Sequence, residues 1–363
     1  MDDCGLSQGR LGTLGRMRAV SVIPGQENSL YLDTNAPEPD PDEGPVLVEA
    51  IAVGICGTDR EVIAGEYGEA PPGAKRLILG HESLGRVLED PTRTFAPGDL
   101  VAGIVRHPDP VPCPNCAAGE WDMCRNGRFT EHGIKARHGF ARDRWRVQPD
   151  HAIRLAPTLD AVGVLLEPTS VVAKAWEHIE RIGERARWTP RTALVTGAGP
   201  IGLLAALLGV QRGLEVHVLD RATAGPKPAL AARLGAVYHH RGVPDLDLEP
   251  DVALECTGAP TVVLDVMEKI GPNGIACLTG VSSGGRRIAL DAGHLNRQLV
   301  LENNVIFGTV NANRRHWRQA ADALLQADIR WLDDLITRRV PLDRYPDAYT
   351  SPGNDVKAVL EFG

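Results

Sequence analysis

The stretch TALVTGAGPIGLLAALLGVQRGLEVHVLDR, residues 192–221, narrows the fold of this chain more than any other. A five-residue strand-like run meets a glycine turn, then an apolar helical run, then a second strand-like run that ends at Asp220. Gly197, Gly199 and Gly202 stand as G-x-G-x-x-G between strand and helix. The first glycine allows the tight turn, the second lets a pyrophosphate approach the backbone, and the third permits close helix packing. The helix N-terminus then faces the negative charge with its unpaired N–H groups. Glycine-rich turns are common, so the motif gains its weight from these flanks and from Asp220, which lies about where a ribose-binding acid belongs. A carboxylate there accepts hydrogen bonds from the ribose hydroxyls and repels a 2′-phosphate, whereas the neighbouring Arg221 could welcome that phosphate. The expectation is a dinucleotide site that favours NAD over NADP.

At 363 residues the chain is too long for one compact core and predicts about two domains. From Arg18 to about Pro149, β-branched runs such as VLVEAIAVGI, LVAGIV and RWRVQP alternate with Gly/Pro-rich turns, which predicts an irregular β body. From about Thr192 the texture becomes strand, helix, strand, with DVALECTG and GIACLTG as further buried parallel strands around the helical TVVLDVMEKI. The second half is therefore expected to be a doubly wound α/β domain.

A formal charge of −8 argues against an unaided nucleic-acid or acidic-membrane surface, both of which need concentrated Lys and Arg, and leaves small molecules as the expected partners. The longest apolar run, Ile201–Val210, is about half of what a bilayer span requires. Residues 1–16 are polar and glycine-rich, without the apolar core of a signal peptide; they are expected to be disordered, with Met17 opening the first strand. A cytoplasmic address follows. Seven cysteines, three of them clustered, fit reduced thiols rather than a disulfide framework.

Dispersed through the β-rich half are candidate zinc ligands: Cys56 in GICGTDREV, the adjacent His81 and Glu82 in LGHESLGRV, and Glu167 in LLEPTSVV. A catalytic zinc needs a few protein ligands and one exchangeable position, where an alcohol binds and its pKa falls. Singly, each residue has an ordinary alternative: a small core cysteine, a hydrogen-bonded core histidine, a solvated acid, a helix-start carboxylate.

Together the segments resemble the zinc-dependent medium-chain dehydrogenase/reductase family from Met17 onward, through GICGTD, GHESLGRV, PGDLVAG, CPNC with a later Cys, LLEP and TGAGPIG in the family's order. Within it, CGTDREVIAG, GRFTEHGI, LLEPTSVVAKAWEHI and FGTVNANRRHW are most similar to the glucose 1-dehydrogenase subgroup. The resemblance implies a GroES-like catalytic domain over 1–175, a Rossmann domain over 176–311 and a return of 312–363 to the catalytic domain. It implies a glucose-like sugar oxidised at C1 to the lactone, with other secondary alcohols such as a polyol, cyclitol or threonine as the near alternative. A dinucleotide sensor without catalysis is the remote one, disfavoured because the zinc ligands are all present. Cys56, His81 and Glu82 or Glu167 would hold the zinc. Thr58 would take the substrate proton, and Glu61 stands where many relatives place a histidine at the end of the relay. Glu131 and Asn311 match sugar-binding positions, while a sugar-contacting histidine of part of the subgroup falls at Leu301 or Glu302 here. The expected cofactor set is Gly197, Gly199, Pro200, Ile201, Gly202, Asp220, Arg221, Thr257 and Asn311. A homo-oligomer, dimer or tetramer, is expected.

One departure concerns Cys113, Cys116 and Cys124, spaced C-x2-C-x7-C. Tetrahedral structural zinc takes four ligands, and the family's first cysteine falls at Pro110, which has no ligating side chain. Asp109 is the first choice for a fourth ligand and His107 the second, an empty site being the remaining reading.

Overall fold

The computed structural model describes residues 16–282, 287–351, 353 and 355–363. The expectation for residues 1–16 falls, apart from Arg16, outside the described residues.

Val46–Ile55 is the hub of the first half. Its sequence, VLVEAIAVGI, is apolar almost without interruption because the strand has neighbours on both edges and is buried on both faces. Glu82–Glu89 pairs antiparallel with it on one side. On the other side Arg144–Val147 pairs with Val46 to Glu49, and Ala358–Glu361 pairs with Ala52 to Ile55. The sheet continues through Leu100–Gly103 to Ala152–Leu155 at one end and to Arg338–Pro341 at the other. The C-terminal strands thus lie in this sheet, against the edge of Val46–Ile55, and bring Lys357 beside Ile55.

The second half is a six-stranded sheet, parallel throughout, in the order Val237–His239, Glu215–Leu219, Thr192–Thr196, Val252–Glu255, Ile275–Leu278, Val305–Gly308. Numbered along the chain this is 3-2-1-4-5-6, the doubly wound order whose direction reverses between strands one and four. The expected fold class, a GroES-like β-rich domain beside a Rossmann parallel sheet, is borne out. Pro200–Gln211 is apolar all round because both its faces are covered, and Gly202 through Gly209 are buried. Packed on it is the long helix Leu166–Gly183, which carries Glu167 in its first turn and is itself covered by Arg314–Gln326. Among the described residues no helix is long and apolar enough to cross a membrane.

Candidate active site

A cavity of about 770 Å³ runs from the first sheet to the glycine turn of the second. At its inner end Cys56, His81 and Glu82 offer ligand atoms that all lie within 4.8 Å of one another. Local chain chemistry sets each in place. Cys56 is the N-cap of the short helix Gly57–Ile63, and its Sγ accepts from Thr58 N at 3.3 Å. Asp59 reaches back to the Cys56 N–H at 2.9 Å, a capping-box contact, and its other oxygen lies 3.3 Å from His81 Nδ1. His81 Nε2 is left to face Cys56 Sγ at 3.1 Å. Glu82 opens the strand beside Gly54, where a Cβ would come within 2.1 Å of Glu82 Oε2, so only glycine lets the carboxylate pass. Lys357 pairs with that oxygen and also donates to Ile55 O at 3.0 Å.

The arrangement fits a divalent metal. A carboxylate behind a ligating histidine fixes its tautomer and ring plane, which is the role Asp59 has toward His81. Burial works against charge on His81, but Asp59 and Cys56 outweigh it and hold the imidazole well above its ordinary value. A cation between sulfur and nitrogen would replace that proton. Glu167 lines the same cavity without lying inside the close cluster. Burial pushes its carboxyl up to about 7, with Glu82 adding to the effect and His81 opposing it.

Thr58, Glu61, Glu131 and Asn311 line the cavity too. Glu131 and Asn311 meet directly: Asn311 Nδ2 donates to Glu131 Oε1 at 2.9 Å, and Arg106 Nε donates to the same oxygen at 2.9 Å. Asn311 has a left-handed φ of 59°, a conformation that asparagine tolerates better than most residues. Leu301 is exposed and Glu302 accepts from Asn304 Nδ2 at 3.1 Å; neither lines the cavity.

At the outer end the cavity meets Gly199, Pro200 and Ile201. A Cβ on Gly202 would sit 1.7 Å from Gly197 O, whereas one on Gly199 would meet nothing within 4 Å. The third glycine is thus a packing requirement, and the second leaves room for a phosphate. Asp220 accepts from Ala198 N at 2.8 Å, Ala222 N at 3.0 Å and Lys227 Nζ at 3.1 Å. Burial opposes the charge on Asp220, but these donors hold its carboxyl below the usual range. Arg221 is exposed and does not line the cavity; Lys227 does. Thr257 follows Val252–Glu255, the strand across the switch point, and a Cβ on Gly197 would touch its methyl at 2.9 Å.

Among the described residues the cysteine lobe gathers three thiols without a fourth His, Cys, Asp or Glu ligand. Cys113, Cys116 and Cys124 lie within 4.8 Å of one another, and Asp109 is not among them. Its carboxylate accepts from Val111 N at 2.8 Å, Asn126 Nδ2 at 2.9 Å and Arg128 Nε at 3.3 Å. His107 is also committed: its Nε2 lies 3.1 Å from His132 Nε2 and its ring stacks on His151 at 3.9 Å. Neither Asp109 nor His107, expected to complete a tetrahedral set, is brought into this cluster. Backbone N–H groups of Arg125 and Cys116 bring the Cys113 thiol down to about 6, while burial pushes Cys116 up to about 11.

Residues 42–157 match the alcohol dehydrogenase GroES-like domain, and residues 160–362 match the glucose dehydrogenase C-terminus. The chain is 38% identical over 360 residues to glucose 1-dehydrogenase of Methanocella arvoryzae, covering 96% of this chain and 100% of the relative. The chain belongs to the glucose dehydrogenase family. Glucose 1-dehydrogenase 2 of Vulcanisaeta moutnovskia is 40% identical over 354 residues, covering 95% of this chain and 99% of the relative. The glucose dehydrogenase of Haloferax mediterranei, solved in complex with NADP, Zn and gluconolactone, superposes with a TM-score of 0.88 at 30% identity, covering 95% of this chain and 99% of that one. The resemblance carried by GICGTD, GHESLGRV and LLEP is thereby borne out, and the protein is an oxidoreductase of this family.

Sequence reasoning missed Asp59, Lys357 and Arg106. Asp59 was signalled by its position three residues after Cys56, at capping-box spacing. Lys357 and Arg106 carry no local signal.

Proposed function

We propose that the protein oxidises a glucose-like aldose at C1, giving the lactone, a reduced nicotinamide dinucleotide and a proton. The observation that carries this reading is the single cavity joining the Cys56, His81 and Glu82 cluster, the Glu131–Asn311 pair and the glycine turn. Zinc held by the cluster would supply Lewis acidity to the C1 hydroxyl, and a nicotinamide on the glycine turn would supply the hydride acceptor. The chain's own residues do the rest. The Glu131 carboxylate accepts from Arg106 and Asn311 on Oε1, which leaves Oε2 for a sugar hydroxyl. Asn311 offers its remaining amide capacity on the same wall. Thr58, at the helix start beside Cys56, takes the substrate proton, and Glu61, exposed at the cavity edge, passes it outward.

The Haloferax relative binds NADP, and a preference of this chain for NAD does not follow from Asp220 alone. Lys227 beside Asp220 offsets the charge that would repel a 2′-phosphate, so the reading takes either dinucleotide. The homo-oligomer is proposed to form at the edge strand Val305–Gly308, flanked by exposed Val300, Leu301 and Val310; mass measurement in solution checks it. The activity is tested by presenting zinc-loaded protein with a panel of aldoses, polyols and secondary alcohols, each with NAD and NADP, and following nicotinamide reduction. Aldoses should lead the panel. Turnover of a polyol or threonine with no aldose active would overturn the reading.

A further inference from the structure

We propose that Asp122, a residue of the three-cysteine lobe, is a positioning residue for the reaction: through Lys174 and Arg106 it fixes both walls of the sugar end of the cavity. The proposal rests on the reading that Glu131 and Asn311 face the sugar.

Asp122 lies between Cys116 and Cys124, in the turn Trp121–Met123, with its side chain fully buried. Its Oδ2 pairs with Lys174 Nζ at 2.8 Å, and Lys174 is itself 1% exposed on the helix Leu166–Gly183. Its Oδ1 accepts from Asn313 Nδ2 at 3.0 Å. Its backbone carbonyl accepts from Arg106 Nη1 at 3.2 Å. Two paths lead from this one residue to the cavity. Along the first, Lys174 Nζ donates to Val310 O at 3.0 Å, so that Val310 and Asn313, on either side of Asn311, are both tied to the ion pair. Along the second, Arg106 Nε donates to Glu131 Oε1 at 2.9 Å. The paths close where Asn311 Nδ2 reaches that same oxygen at 2.9 Å.

Stability alone does not account for this placement. A buried ion pair is costly to desolvate, and packed apolar residues of similar volume usually hold a fold as well or better. What apolar residues cannot do is grip the Val310 carbonyl from one side while Asn313 is gripped from the other. Asn311 needs that grip, because its left-handed backbone is a conformation that persists only when its surroundings determine it. The cysteine lobe, remote from the metal cluster in sequence, thereby bears on sugar affinity.

The test uses the full-length, zinc-loaded enzyme carrying Lys174→Met together with Asp122→Asn. The first change removes the tie to Val310; the second avoids stranding a buried charge and keeps an acceptor for Asn313. Loss of one charge-assisted hydrogen bond from the wall should raise the aldose KM about tenfold. The kcat should stay within about threefold, and zinc content and dinucleotide KM within about twofold, the pattern of lost binding rather than lost chemistry. Asp122→Asn alone leaves one side-chain acceptor for two donors, Lys174 and Asn313, so it loosens the tie without removing it and should raise the aldose KM about threefold. That single variant carries the test if the double one does not fold. An aldose KM unmoved in whichever variant folds, with only the melting temperature lowered, overturns the proposal. The parent enzyme separates the two claims: an inactive parent contradicts the proposed function, and an active parent with an unshifted variant contradicts the coupling.

Discussion

Lys357→Met probes how the metal cluster is balanced before and after it is loaded. Lys357 is 1% exposed, pairs with Glu82 and donates to Ile55 O at 3.0 Å, while Glu82 is also 1% exposed. Methionine nearly matches its volume, so the substitution removes charge and donors while leaving the packing in place. In metal-free protein Glu82 is then a buried carboxylate without its cation. Breaking such a pair costs about 3–5 kcal/mol. In zinc-loaded protein an ion held by Cys56, His81 and Glu82 would take over as counter-charge to the same carboxylate, so the cost should fall to about 1–2 kcal/mol. The assay is urea unfolding of parent and variant, each after chelator treatment and each in excess zinc, with the four free energies compared as a cycle. Equal losses with and without zinc would refute the reasoning, since Glu82 would then not face the metal.

The remaining predictions concern the metal, the dinucleotide and pH. Cys56→Ala or His81→Ala should abolish turnover and release the catalytic zinc while dinucleotide affinity, measured by fluorescence titration, stays within about threefold, because the glycine turn lies on the other sheet. Asp220→Ser should shift the ratio of kcat/KM for NADP over NAD upward by about tenfold, the value of one charge contact; an unchanged ratio would show that Asp220 serves only Lys227 and the backbone. Burial, aided by nearby arginines, lowers His138 and His151 to about 4, and burial lowers His316 to about 4 against the pull of Asp122 and Glu177. Between pH 6.5 and 4 the unfolded chain therefore binds protons that the folded chain refuses. The contribution of these three histidines is full above about pH 6.5 and falls as pH drops toward 4, by up to about 1.4 kcal/mol per pH unit for each; the raised carboxyl of Glu167 opposes it with one such slope between about pH 4.5 and 7, so the net still falls with acid. Urea midpoints that stay flat from pH 7 to 5 would contradict this.

Features written in short windows were legible in the sequence. Gly197, Gly199 and Gly202 act on backbone within a few residues of themselves, so the turn and its flanking elements, Thr192–Thr196 and Pro200–Gln211, follow from local periodicity. Cys56, His81 and Glu82 were picked out by residue type and by resemblance, and the structure brings them together. Contacts across long loops were not legible. Lys357 reaches Ile55 from 302 positions away, and Lys174 reaches Val310 from 136. No periodicity announces such a pair. Asp109 suits a ligand by residue type and place, but its carboxylate also takes hydrogen bonds from Asn126 and Arg128, 17 and 19 positions on, which no local pattern announces.

The most direct test of the account is the fate of the hydrogen at C1. Zinc-loaded enzyme should be given glucose carrying deuterium at C1, with NADP and separately with NAD, and both products examined by mass spectrometry and proton NMR. The account predicts gluconolactone and a reduced nicotinamide in equal amounts, with one deuterium on the nicotinamide ring for every sugar oxidised. Reduced nicotinamide without the label, or no reduction of either dinucleotide by any aldose, would contradict it.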